Sequence, residues 1–286
     1  MKFDLLLNSN VKKEWRLKMF GERLVSGVVL LILAIGIVFT GGNVLYVTVT
    51  AISLIGLMEL YRALKFHKTP LAYAGYVGSL LIDGVILLGR EDLLLHILIG
   101  LMMLFLVIYV LRYPRYNSEQ VTMAYFGLFY VTLMLSYIYR IRMMDDGLLL
   151  VWLIFIGAWG SDTCAYCVGK LFGKHKFTGD LATLSPKKSI EGCIGGVAGA
   201  ALIGGIYGYF SRNALVQIVD PIFVFAVIGG CSSIIAQIGD LAASAIKRNH
   251  DIKDYGKLIP GHGGILDRFD SIIFTAPIVY ILSVLL

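Results

Sequence analysis

At 286 residues, 58% hydrophobic and only 15% charged, with a mean hydropathy of +0.80, the chain is too apolar for a soluble globular domain and reads as an all-α integral membrane protein. Its net charge of +6 need not mean nucleic acid, because basic residues on one face of a membrane protein satisfy topology and attract anionic headgroups. Cys164, Cys167, Cys193 and Cys231 lie in or beside apolar segments, and the lone Cys-x-x-Cys has no second pair or His nearby, so all four read as packing residues rather than a metal or redox site.

Residues 1–23 are polar and basic and lead into an apolar run with no small-residue cleavage site after it, so that run is expected to remain as the first span. Apolar segments at 24–40, 44–60, 71–88, 93–111, 121–139, 147–168, 192–210, 221–239 and 271–286 match or approach the roughly 20 residues that cross a hydrocarbon core, which predicts a polytopic bundle of about nine helices. The last is the shortest, and a start within 265–270 would bring Asp267 and Asp270 into its first turn. The N-terminus and the loops after spans two, four, six and eight hold 21 of the 25 Lys and Arg, while Arg90, Arg140, Arg142 and Arg212 are the four on the opposite side. That bias predicts a cytoplasmic N-terminus, with the sixth and eighth loops on the same side. Any nucleotide would be met there.

The first five spans carry little chemistry. Asp83 and His96 are ionisable groups in apolar segments, but neither has a polar cluster around it; both read as bundle-internal or, for His96, close to the outer interface. Glu59 and Arg62, near the end of span two, are expected to reach the headgroup region, and Tyr139 and Trp152 to act as interfacial anchors.

Span six differs. Gly160, Ser161, Asp162, Thr163 and Tyr166 put a carboxylate and hydroxyls just before a basic loop, which makes Asp162 a candidate for a metal or nucleotide site. That loop ends in Ser185-Pro186-Lys187-Lys188-Ser189, where two lysines beside a helix start add side-chain charge to free N–H groups and the helix dipole. The structural alternative is a topology loop with Ser189 as helix cap and Glu191 in the first turn. In span seven, Gly204 and Gly208 stand four apart and predict close helix packing. Span eight ends on Asp240.

The stretch 244–271 is the most highly charged part of the second half. Lys247, Arg248 and Lys253 supply fixed positive charge, and the turn through Pro260, Gly261, His262, Gly263 and Gly264 suits close approach of backbone N–H groups to phosphate. Asp267 and Asp270, three apart at the start of a helix, project from one face and with Asp240 can hold one Mg2+ or a metal pair through oxygen. Ser244, Lys247, Arg248, Lys253, Asp254, Gly256, Pro260, His262, Gly263, Gly264, Asp267, Arg268 and Asp270 meet every fixed position of a signature. In that signature the stretch closely resembles the phosphatidate cytidylyltransferases (CDP-diacylglycerol synthases), and the segment from Trp159 through Asp162, Ala165 and Tyr166 to Ser189 looks like a second recurrent segment of that family.

The resemblance implies transfer of the cytidylyl group of CTP to phosphatidate in the cell membrane, with pyrophosphate as the other product. It implies Asp240, Asp267 and Asp270 on Mg2+, and Lys188, Lys247 and Arg248 among the catalytic groups. Ser185, Lys187, Ser189, Lys253, Asp254, His262, Gly263, Gly264, Arg268 and Asp162 would contact substrate. It further implies residues 147–286 as the catalytic half, with 24–146 holding the first five helices, and a homodimer; an accompanying monovalent cation is left open. No P-loop, Gly-x-Ser-x-Gly elbow, His-Glu-x-x-His or internal repeat is present. The rivals are a CTP-dependent lipid kinase, which would release CDP, and a secondary transporter, which the crowding of acids toward one face disfavours.

Overall fold

The computed structural model describes residues 27–29, 31–259 and 263–286; the basic segment 1–23 and His262 lie outside the described residues. Among the described residues nine apolar helices follow one another, the first of them short: α1 (Gly27–Thr40), α2 (Gly42–Ala63), α3 (Pro70–Leu87), α4 (Glu91–Leu111), α5 (Ser118–Arg142), α6 (Gly147–Phe172), α7 (Ile190–Ser211), α8 (Pro221–Asn249) and α9 (Leu266–Leu285). From α2 onward, eight are long and apolar enough to cross a membrane, and α1 is the described part of the first expected span. Beside these stand one short helix, Asp180–Leu184, and two isolated bridges, Lys176 with Ser189 and Ile259 with Gly263. No strand forms among the described residues.

Local sequence sets the helix starts. Thr69 caps α3 ahead of Pro70, accepting the Ala72 N–H at 3.4 Å, and Asp220 caps α8 ahead of Pro221, accepting the Phe223 N–H at 3.3 Å. Asn117 and Gln120 form a reciprocal capping box on α5, at 2.8 and 3.3 Å. Ser189 caps α7 through the Gly192 N–H at 3.1 Å, and Glu191 in the first turn turns back to His175 at 2.6 Å.

Packing then sorts the helices: α5 and α8 are the most buried, and α4 the least, facing outward along most of its length. Tyr61 is fully buried and joins α2 to α5 by donating its hydroxyl to the Ala124 carbonyl at 2.7 Å. The expected close approach of α7 is present: a Cβ on Gly204 would stand 2.3 Å from the Phe225 carbonyl oxygen, and one on Gly208 2.2 Å from that of Pro221. Backbone meets backbone between α7 and α8. A buried hydrogen bond of 2.7 Å between Ser161 and Ser233 fixes α6 against α8.

Two helices carry the chemistry beyond the apolar layer. At 29 residues α8 is roughly 44 Å long, well over the roughly 30 Å hydrocarbon core, so its last turns from Asp240 onward project past it. In α6 a π-helical turn at Ile156–Gly160 precedes Ser161 and resets the helix face on which Asp162 emerges. The expected early start of α9 is also present, with Asp267 in its first turn.

The four arginines of the less basic side all have partners. Arg90 pairs with Asp92 and Arg140 with Glu91, each at 3.0 Å; Arg142 donates to the Val38 and Phe39 carbonyls, capping α1; Arg212 lies over the Tyr209 ring at 4.5 Å. Three smaller expectations need correction or detail. Tyr139 is not an interfacial anchor but is buried edge-on against Tyr46, because α2 covers it. Asp83 is buried in the bundle with Oδ2 lacking a partner among the described residues, while His96 is exposed near the start of α4. Glu59 does not reach the headgroups; it is 1% exposed.

Replacing Gly204 by Val should lower stability by about 1–3 kcal/mol through overpacking against the α8 backbone, read as a lower unfolding midpoint in detergent micelles. An unchanged midpoint would show that the two helices part at no cost.

Candidate active site

The site is built at the end of the bundle where the C-terminal parts of α6 and α8 meet the start of α9. Asp162 of α6, Asp240 and Lys247 of α8, Asp254 of the following loop, and Asp267, Arg268 and Asp270 of α9 line one cavity of about 810 Å3. Its other wall is apolar, formed by Ile37 and Val38 of α1 and Val49 and Ile52 of α2, with Trp159 and Phe269 beside them. Of the residues singled out from sequence, these seven charged ones converge.

Asp267 is the most constrained of them. Its Oδ2 accepts the N–H groups of Tyr255 at 2.8 Å and Gly264 at 3.0 Å, and its Oδ1 accepts from Lys247 Nζ at 3.0 Å. The Lys247 ammonium also lies 5.4 Å from the Tyr255 ring centroid. Burial holds the Tyr255 phenol well above its usual range, so it stays a neutral hydroxyl, and it donates to the Ala243 carbonyl at 3.3 Å.

Lys188 reaches across 52 residues of sequence to pair with Asp240, which brings the loop before α7 to the end of α8. The two ion pairs differ in worth. The side chains of Lys247 and Asp267 are 11% and 3% exposed, so losing one partner strands a buried charge at a cost of about 3–5 kcal/mol. Those of Lys188 and Asp240 are 24% and 32% exposed, so water reaches this half-buried pair and it contributes less, about 1 kcal/mol. The first pair is framework; the second is exchangeable.

The donor set suits a hard divalent ion, since it offers only carboxylate oxygens. Among the described residues Asp240 Oδ1 and Asp270 Oδ2 have no protein hydrogen-bond partner, whereas Asp270 Oδ1 accepts the Ser271 N–H at 2.8 Å. No three His, Cys, Asp or Glu among the described residues surround one point closely enough to hold a metal ion. The lysines stand on two of the three expected ligands.

A model of the Cytidylyltransferase family matches residues 21–286. The chain belongs to the cytidylyltransferase family. Among similar proteins, the phosphatidate cytidylyltransferase of Bacillus subtilis is 30% identical over 92% of this chain and 97% of its own length. That of Staphylococcus saprophyticus is 31% identical over 92% and 98%, and that of Synechocystis 31% over 93% and 97%.

Within this member of the cytidylyltransferase family some expected contacts fall elsewhere. Ser189 is buried and its hydroxyl is spent on capping α7, so the structural reading describes it. Ser185 and Lys187 sit in the turn before α7 away from the cavity lining, and Lys253 is exposed outside it. Arg248 donates to the Ile252 carbonyl at 3.3 Å and braces the loop. The glycine turn was expected to offer its N–H groups to phosphate, but the Gly264 N–H is committed to Asp267. Gly263 is required for another reason: its φ is +87°, a left-handed conformation that other residues avoid.

One participant was missed. Glu59 of α2 accepts the Leu266 N–H at 2.9 Å, at the start of the helix that carries Asp267 and Asp270. As the single acid in an apolar span it had the signal that marks such a residue, but nothing nearby in sequence names its partner.

Lys247→Met should lower stability by about 3–5 kcal/mol and Lys188→Met by about 1 kcal/mol or less, measured by unfolding in detergent. A larger loss at Lys188 would reverse the assignment of framework and exchangeable pairs.

Proposed function

We propose that the protein transfers the cytidylyl group of CTP to phosphatidate, releasing pyrophosphate and leaving CDP-diacylglycerol in the membrane, as the shared name of its relatives suggests. The observation that carries this reading is the cavity, where five carboxylates, Lys247 and Arg268 face an apolar wall. A lipid phosphate and a soluble polyanion can meet there only if their charge is offset.

In the proposed reaction a phosphate oxygen of the lipid attacks the α-phosphorus of CTP, the bond to the bridging oxygen breaks, and pyrophosphate leaves with the electron pair. The nucleophile is already ionised at neutral pH, so no strong base is required of the chain. Lys188, paired with Asp240 at the cavity, can exchange that partner for phosphate, and Arg268 lines the cavity itself. Lys247 keeps Asp267 and the loop in place. Asp240 and Asp270, with Asp267 beside them, would hold Mg2+, which when bound supplies charge stabilisation of the transferring phosphoryl group. The excess of Lys and Arg at this end of the bundle supports a cytoplasmic site in a multi-pass cell-membrane protein.

The test is purified protein in mixed micelles with labelled CTP and phosphatidate. Pyrophosphate and CDP-diacylglycerol should form with Mg2+, and EDTA should stop both. Release of CDP with a phosphorylated lipid would identify a kinase, and CTP consumption indifferent to lipid would sink the proposal. Asp240→Asn and Asp270→Asn should each lower kcat about 100-fold or more at unchanged expression, the effect of weakening a metal site worth several kcal/mol. These are cleaner probes than Asp267→Asn, which would also leave Lys247 buried without a charged partner.

A further inference from the structure

The buried Glu59 carboxylate is used by none of the steps above. It lies in the last turn of α2, 207 residues before the backbone group it binds, and it accepts the Leu266 N–H at 2.9 Å. The N-cap residue of α9, Ile265, offers no side-chain cap, so this first-turn donor is satisfied by another helix. A negative charge at that end also opposes the positive end of the α9 dipole.

The loop closes around this carboxylate. A Cβ on Gly264 would lie 2.5 and 2.6 Å from the two Glu59 oxygens, with no other group as close, and a Cβ on Gly256 would lie 2.1 Å from Oε1. Both glycines are therefore the space that the carboxylate needs. Gly264 in turn gives its N–H to Asp267 at 3.0 Å, so Glu59 and Asp267 hold neighbouring residues of one turn from opposite sides.

We infer that Glu59 is a positioning residue for cytidylyl transfer: it fixes the start of α9 and the Gly256 and Gly264 backbone, and through them the placement of Asp267 and Asp270. This rests on the proposed function, and it predicts a coupling that simple structural support does not. Gly264 is glycine because Glu59 is there, so the damage from adding a Cβ at 264 should depend on residue 59.

The experiment is a double-mutant cycle in the pyrophosphate-release assay, on protein shown to be monodisperse in detergent. Glu59→Ala should lower kcat about tenfold or more while the CTP KM moves less than about threefold. Glu59→Gln, which keeps an acceptor for the Leu266 N–H, should recover most of that loss. Gly264→Ala should be impaired alone, yet cost little further in the Glu59→Ala background, a non-additivity of about tenfold. Should Glu59→Ala not accumulate, Glu59→Asp takes its place, its shorter side chain withdrawing from Gly264 and partly restoring Gly264→Ala. Wild-type kcat in Glu59→Ala, strictly additive losses, or equal loss in Glu59→Gln and Glu59→Ala overturns the inference. An inactive wild-type protein would instead count against the proposed function.

Discussion

A carboxylate taken out of water must be met by donors that cannot move away, and this requirement organises the end of the bundle where the charged groups gather. Asp267 is surrounded by two backbone N–H groups and an ammonium, and Glu59 by the first free N–H of α9. Two of these donors, the Tyr255 and Gly264 N–H groups, belong to the loop and their acceptor to α9, so the loop is tied to a helix packed in the bundle.

The same principle separates residues that carry similar charges. Lys247 and Lys188 each face an aspartate, but deeper burial gives one pair a role in holding the fold, and partial exposure to water makes the other the easier to exchange. A site that gathers two polyanions needs both kinds: fixed charge that shapes the pocket, and mobile charge that follows the ligand.

What the sequence revealed followed the range of the interactions involved. Asp267 and Asp270 were legible because a spacing of three on a helix places side chains on one face, and Gly204 and Gly208 because a spacing of four does the same for backbone approach. The bias of Lys and Arg picked out one end of the bundle, whereas Ser189, expected to contact substrate, takes the helix-cap role that capping rules offered only as the alternative. The contacts that were not legible join distant segments: Lys188 with Asp240, and Glu59 with Leu266. Spacing carries no information about which loop a buried acid will meet, and the glycines of the turn were assigned to a ligand when the chain's own carboxylate occupies the space beside them.

The cavity wall changes character along its length, from carboxylates and cations at the α8 and α9 end to aliphatic side chains of α1 and α2. An amphiphile entering it is sorted head from tail by solvation alone, before any specific group engages. A two-tailed lipid can therefore turn its phosphate toward the carboxylates and cations while its chains lie against the aliphatic wall.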